Sequence, residues 1–86
     1  ELHEIAALLA YLPGALKEGG RAVCVAYHSL EDRAVKRAFA QGARDGLYER
    51  VTRKVMRPTD AEVERNPRAR SARLRCVQRL AGTETP

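Results

Sequence analysis

Apolar residues first recur at helical spacing. Leu2, Ile5, Leu8, Leu9, Leu12 and Leu16 form one stripe, the signature of an amphipathic helix. Pro13-Gly14 is expected to kink its last turn, because Pro13 has no N–H and crowds the preceding turn. Gly19-Gly20 should end the helix and turn the chain. Residues 21–27 then hold a short apolar run with β-branched valines, which reads as a buried strand. Ser29 is placed to cap a second helix, with Asp32 at the capping-box position. Leu30, Ala34, Val35, Ala38 and Phe39 supply that helix's apolar face, which fades near Gly42. Asp45-Gly46 is a turn. Residues 47–57 alternate loosely, as a strand exposed on one face would, and Pro58 ends them. Thr59 can cap a short helix through Arg65, with Glu62 completing a capping box. Asn66-Pro67 enforces an extended or turn conformation. Residues 73–80 read as a final strand, and residues 81–86 as a frayed tail.

The order helix, strand, helix, strand, short helix, strand places the chain in the α/β class. The last two strands are joined by a connection that suits an antiparallel pair. The final strand is expected to pair with residues 47–57 and also to lie beside residues 21–27. Cys24 and Cys76 would then sit on neighbouring strands, still as thiols. No internal repeat or low-complexity segment interrupts this pattern.

The net charge of +5 over 86 residues is unevenly placed. Residues 1–20 hold Lys17 against Glu1, Glu4 and Glu18, a net of −2. Residues 50–80 hold ten Arg and Lys against Asp60, Glu62 and Glu64, a net of +7. A focused basic segment suggests a polyanionic partner, nucleic acid first, against the plainer alternative of a solvated basic surface. The two cysteines lack CxxC or metal-ligand spacing, so reduced core thiols in a cytoplasmic protein are expected, and no metal site. No apolar run approaches the ~18 residues of a membrane span. The chain opens on Glu1, already inside a helical pattern and without Met, so a fragment of a larger domain is expected.

Two stretches carry candidate chemistry. His28-Ser29-Leu30-Glu31-Asp32-Arg33 follows the apolar strand, and ligands of open α/β sheets bind outside the carboxyl ends of strands. The plainer account makes Ser29 and Asp32 caps and the acids complements of the helix dipole, but it leaves His28 unexplained. A Ser/His nucleophilic pair is disfavoured, since adjacent side chains at a strand end diverge. The second stretch, residues 66–75, carries Arg68 and Arg70 in a turn and Arg73 and Arg75 on one face of a strand. Arginine's planar fork suits phosphate; the alternative is a solvated loop. Tyr11, Tyr27, Tyr48 and Phe39 are too few and scattered for a base-stacking platform. Neither GxGxxG nor a P-loop occurs.

Taken in order, Gly19-Gly20-Arg21, the apolar strand, His28 to Arg33 with Val35-Lys36-Arg37, then Lys54, Pro58, Glu62 and residues 66–75 resemble a known family. They are similar to the C-terminal part of the bacterial small-subunit ribosomal RNA (cytosine-N4)-methyltransferases, over nearly the whole chain. The resemblance implies an S-adenosylmethionine-dependent enzyme acting on the exocyclic amine of a cytidine in the ribosome's decoding region. Residues 1–80 would be the C-terminal portion of a Rossmann-like methyltransferase sheet: one strand plus an antiparallel hairpin, with flanking helices. The family's glycine-rich S-adenosylmethionine loop, its acidic ribose contact and its Asp-Leu-Gly-Val-Ser-Ser motif are absent from this chain. Tyr27 stands where the family usually has Phe.

N4 of cytosine is a poor nucleophile, because its lone pair is delocalised into the ring. An enzyme must orient the amine, polarise it and remove a proton. On the resemblance, His28 and Asp32 are assigned to catalysis, lining the cytidine pocket. Ser29, Glu31, Asn66, Arg68, Arg70 and Ser71 are assigned to substrate binding. Arg33, Lys36, Arg37 and Arg73 fall on the RNA periphery. The implied partner is small-subunit ribosomal RNA or the small subunit itself, with no membrane contact. The rival is a free-standing, non-catalytic basic RNA-binding module. An upstream glycine-rich loop in the same reading frame would favour the enzyme; a start codon just before Glu1 would favour the module.

Overall fold

The computed structural model describes residues 2–81, and the element order is that of an α/β unit. Helix α1 (Leu2–Ala15) leads into strand β1 (Arg21–Ala26), and α2 (Ser29–Arg44) follows. A short β2 (Tyr48–Arg50), a one-turn-and-a-half α3 (Asp60–Arg65), a 3-10 helix (Pro67–Ser71) and β3 (Arg73–Arg79) complete the order. The last strand inserts between the first two, giving the sheet order β1-β3-β2 with both pairings antiparallel. The expected neighbours of the final strand are therefore present. Cys24 and Cys76 lie on adjacent strands as free thiols, and burial raises the thiol pKa of Cys24 above its ordinary value, with the nearby Cys76 adding to the rise. The tail expected at 81–86 lies outside the described residues beyond Ala81.

Both long helices cover one face of the sheet. Ala22 and Val77 from the strands meet Val35 and Phe39 of α2 and Tyr48 of β2, with Leu9 and Leu12 of α1 and Leu16 just after it packed around them. Val77 is 0% exposed, the centre of this core. The other face of β1 is open: Val23 is 58% and Val25 46% exposed. The doubly covered strand expected from its apolar run is thus covered on one side only within the described residues, because α1 and α2 pack on the same side.

Four local expectations are corrected. Helix α1 ends at Ala15, ahead of the Gly19-Gly20 pair expected to end it, with Pro13 inside its last turn; the Pro13 carbonyl accepts from Nε of Arg79 at 3.0 Å. His28, not Ser29, caps α2: it is extended at φ −127° and ψ 147° and makes no side-chain cap bond. Asp32 does not return to the cap, because a charged partner described below takes both its oxygens. The strand expected at residues 47–57 is regular only over Tyr48–Arg50. Val51 N–H and Thr52 N–H both donate to the Cys76 carbonyl, at 2.9 and 3.2 Å, the bonding of a bulge. Pairing resumes at Met56↔Leu74. From Arg50↔Val77 to that bridge β3 advances three residues and its partner six, so the intervening residues loop out.

The Thr59–Glu62 capping box forms as expected: Glu62 N–H donates to Thr59 Oγ1 at 3.1 Å, and Thr59 N–H donates to Glu62 Oε1 at 2.7 Å. Arg79 ties the far end of the sheet together, donating to Pro13 O and, through Nη1, to Leu47 O at 3.2 Å.

Gly42 sits inside α2, where glycine costs roughly 1 kcal/mol against alanine. A Cβ there would press on the Tyr48 ring, 2.7 Å from Cε2. That ring stands edge-on to Phe39, centroids 5.9 Å apart at 71°. Gly42→Ala is therefore expected to lose about 1–3 kcal/mol by overpacking despite its better helix propensity. Tyr48 Oη is buried without a hydrogen-bond partner among the described residues, so Tyr48→Phe should be neutral or stabilising by up to about 1 kcal/mol. Urea unfolding of both variants checks the pair; a stabilised Gly42→Ala would show that the ring is free to move aside.

Candidate functional site

Because β1 and β2 are each antiparallel to β3, they are parallel to one another. Strand β2 stops at Arg50, opposite Val77, and the carboxyl end of β1 reaches further, beside the amino end of β3. Helix α2 starts at that end, and the 3-10 helix leads into it. Register pairs Ala26 with Arg73, so the His28–Arg33 stretch and the residue 66–75 stretch meet although they are far apart in sequence.

One contact locks them together. Arg75 Nε donates to Asp32 Oδ1 at 2.8 Å and Arg75 Nη2 to Oδ2 at 3.0 Å, across 43 residues of chain. The side chains are 15% and 17% exposed, so this bidentate pair is shielded and stronger than a surface bridge. The hydrogen bonds from Arg75 hold the Asp32 carboxyl below its ordinary pKa; burial opposes them, and the charges of Arg75, Arg73 and Lys36 add to the lowering. A carboxylate so held remains ionised and orients its neighbours more readily than it takes up a proton.

The other candidates fall around this pair. His28 and Ser29 are exposed at the end of β1 and the start of α2. Glu31 is half-buried and its Oε1 accepts a long 3.4 Å bond from Tyr27 N–H. Arg33, Lys36 and Arg37 are exposed along α2. Asn66 is extended, and its side-chain oxygen accepts from Arg68 N–H at 3.2 Å, which starts the 3-10 helix with Pro67 in its first turn. Arg68, Arg70 and Ser71 are exposed on that helix. Arg73 turns back, its Nη1 donating to Ser71 O at 2.9 Å.

The structure does not gather all of these into one cleft. Asn66 borders a groove of about 430 Å³ on the face away from α1 and α2, floored by Val25, Met56, Ala72 and Leu74 and rimmed by Arg57 and by Glu62 and Arg65 of α3. Arg70 instead borders a separate hollow shared with Asp60 and Glu64. Asp32 lies on the helix face with Arg75. The role of Arg75 and of the groove residues Arg57, Glu62 and Arg65 was missed from sequence. Alternation along β3 placed Arg75 on a face, but nothing local named its partner.

A mixed α/β unit of this order, with a final strand inserted antiparallel and polar chemistry at the strand ends, matches the closing part of a methyltransferase. The profile of the MraW methylase family matches residues 1–80, and the chain belongs to that family. It is similar to the protein named ribosomal RNA small subunit methyltransferase H in several bacteria. With that of Acidobacterium capsulatum it is 48% identical over 79 residues, 92% of this chain and 27% of the relative. With that of Koribacter versatilis it is 47% identical, over 92% of this chain and 25% of the relative. With that of Myxococcus xanthus it is 46% identical, over 93% of this chain and 31% of the relative. The chain thus spans between a quarter and a third of the length of these relatives.

The Asp32–Arg75 pair makes a pH-dependent contribution to stability. Asp32 has a lower pKa folded than unfolded, so its contribution is complete above the unfolded value of about 3.9 and is lost as pH falls through the lower folded value. Asp32→Asn leaves a shielded guanidinium without its charge partner and should cost roughly 3 kcal/mol at neutral pH. It should also remove the part of the acid-induced loss that Asp32 contributes. Unfolding free energies measured from pH 7 to pH 2 test both; a variant as stable as the parent throughout would reduce the pair to a neutral contact.

Proposed function

We propose that this chain is the closing part of an S-adenosylmethionine-dependent enzyme that methylates N4 of a cytidine in small-subunit ribosomal RNA. The observation that carries the proposal is the meeting of the two motif stretches at the carboxyl end of the sheet, joined by register and by the Asp32–Arg75 pair. The family membership and the names of the relatives support it. In this reading the enzyme works in the cytoplasm, on ribosomal RNA or on the small subunit; no helix among the described residues is long and apolar enough to cross a membrane.

These residues do not form a cradle for the methyl donor. Gly19, Gly20 and Gly46 lie at the opposite end of the sheet, before β1 and β2, where Gly19 and Gly46 take φ of 79° and 78° in turns. The carboxyl end of β1 carries Tyr27-His28-Ser29 instead. We assign the donor's site to the part of the enzyme outside this chain. Among the described residues strand β1 pairs on one edge only, and its other edge faces a hollow of about 440 Å³ lined by Ile5, Leu8, Val23 and Tyr27; this is where the remainder of a methyltransferase sheet would join.

The chain's own residues serve the nucleotide. His28 makes no cap bond, so its ring is free to accept a hydrogen bond or proton from the exocyclic amine. Asp32, oriented by Arg75, can accept from the amine with its remaining lone pairs and turn the nitrogen lone pair out of conjugation. Ser29 and Glu31 flank them at the start of α2. Asn66, Arg68, Arg70 and Ser71 hold the substrate strand, with Arg33, Lys36, Arg37 and Arg73 at its margin. Asp60 and Glu64 beside Arg70 make Arg68 the stronger phosphate contact of the two.

In the full-length enzyme, Arg68→Ala with Arg70→Ala should weaken RNA binding and lower the log–log salt slope by about one to two, leaving the choice of cytidine unchanged. Lysine at both positions should restore only part of the affinity. His28→Ala should leave RNA binding intact and lower methyl transfer about 10²-fold or more. Filter binding across a salt series and methyl incorporation decide the matter. A double variant with the parent's slope and affinity would leave the arginines as a solvated surface.

A further inference from the structure

The fold assembles a basic cluster that no sequence motif displays. Arg50 ends β2 on the face turned towards α2, since its cross-strand partner is the core residue Val77. Arg53 follows the bulge. Lys36 stands on α2 above them. The three border one notch, with Thr52 and Arg75. All three are exposed, and none makes an ion pair among the described residues. Arg75 is already satisfied by Asp32, so the local acid that would have quenched the cluster is engaged elsewhere. Glu49 borders the adjoining hollow with Arg50 and Arg53, and Lys36 lies within Coulomb reach of the Asp32 carboxylate.

The cluster is also anchored. Val51 and Thr52 donate both their N–H groups to Cys76 O, and Thr52 Oγ1 accepts from Cys76 N–H at 3.0 Å. The segment between the two arginines is thereby pinned to the central strand. Bulges recur next to functional sites, where they re-aim side chains. The notch itself, about 10 Å³, is far too small for a base, so its ligand is a group that rests on the surface.

We infer that Lys36, Arg50 and Arg53 form a second RNA-phosphate site, separate from the 3-10 segment at residues 67–71. This rests on the proposed action on ribosomal RNA. Arg50 closes β2 opposite Val77, level with Ala22 of β1, so the site lies on the β2 side of the sheet, set back from the His28 end. A phosphate contact there, with one at residues 67–71, fixes the RNA strand in register without reading its bases.

The test uses the full-length methyltransferase containing this chain and a small-subunit ribosomal RNA probe in filter binding over a salt series. Arg50→Gln with Arg53→Gln should lower the log–log slope by about 1.4, roughly 0.7 per phosphate contact on a single strand. Adding Lys36→Gln should lower it by about 0.7 more. Arg53→Gln alone, outside any strand, should remove about half the double variant's effect. Arg50→Lys with Arg53→Lys should keep the slope, because a point charge suffices for ion release. Donor binding should be unchanged in every variant. The Arg68→Ala, Arg70→Ala protein is measured alongside. If it loses slope while the triple Gln variant matches the parent, the second site is overturned and the RNA reading stands. If neither variant changes the slope, the RNA reading itself falls.

Discussion

Everything at the candidate site depends on β3 being hydrogen-bonded along both edges. A strand that closes the chain by inserting antiparallel between β1 and β2 makes those two parallel. That brings the carboxyl end of β1, the start of α2 and the amino end of β3 to one place. Without it, the motif after β1 and the arginines before β3 would have no fixed relation. Central position also decides side-chain fate. Arg73, Arg75, Val77 and Arg79 alternate onto the helix face in register with Ala26, Cys24 and Ala22. Only Val77 is apolar, so it alone fills the core, and the arginines on either side must find polar partners. They find a backbone turn, a carboxylate and the carbonyls of Pro13 and Leu47 respectively.

Much of this order was legible in the sequence, because local physics wrote it. The leucine stripe, the valine-rich strand, the Thr59–Glu62 box and the Asn66-Pro67 turn each rest on residues within a few positions of one another. The antiparallel placement of the last strand was also legible, from connection length and from the need of an apolar strand for neighbours. The misses are long-range. Asp32 has the spacing of a cap, and a neutral backbone donor would suffice were no cation available. The guanidinium of Arg75, 43 residues away, offers two charge-assisted bonds and prevails. The looping of residues 51–55 was hidden for a similar reason. A bulge is defined by two strands together, and loose alternation on one of them does not reveal it. The pairing of Arg50 and Arg53 with Lys36 shares that cause.

Charge shows the same division between composition and structure. Residues 50–80 carry ten basic side chains, but these do not form one interchangeable field. Arg73, Arg75 and Arg79 donate to groups of the protein itself. They act as struts, and their charge is spent on packing the sheet's ends. The basic groups left to an external anion are those off the central strand: Arg50, Arg53, Lys54, Arg57, Arg65, Arg68 and Arg70. Of these, Arg70 shares its hollow with Asp60 and Glu64, and Arg57 and Arg65 share a groove with Glu62. Acids therefore partition the surface. Where they are engaged internally, as Asp32 is, the neighbouring cations are released for a ligand. The Asp32–Arg75 pair thus acts twice: it fastens the two motif stretches together, and by satisfying Arg75 it leaves Arg50 and Arg53 without a shielded counter-ion, while Lys36 feels the Asp32 charge from outside the pair.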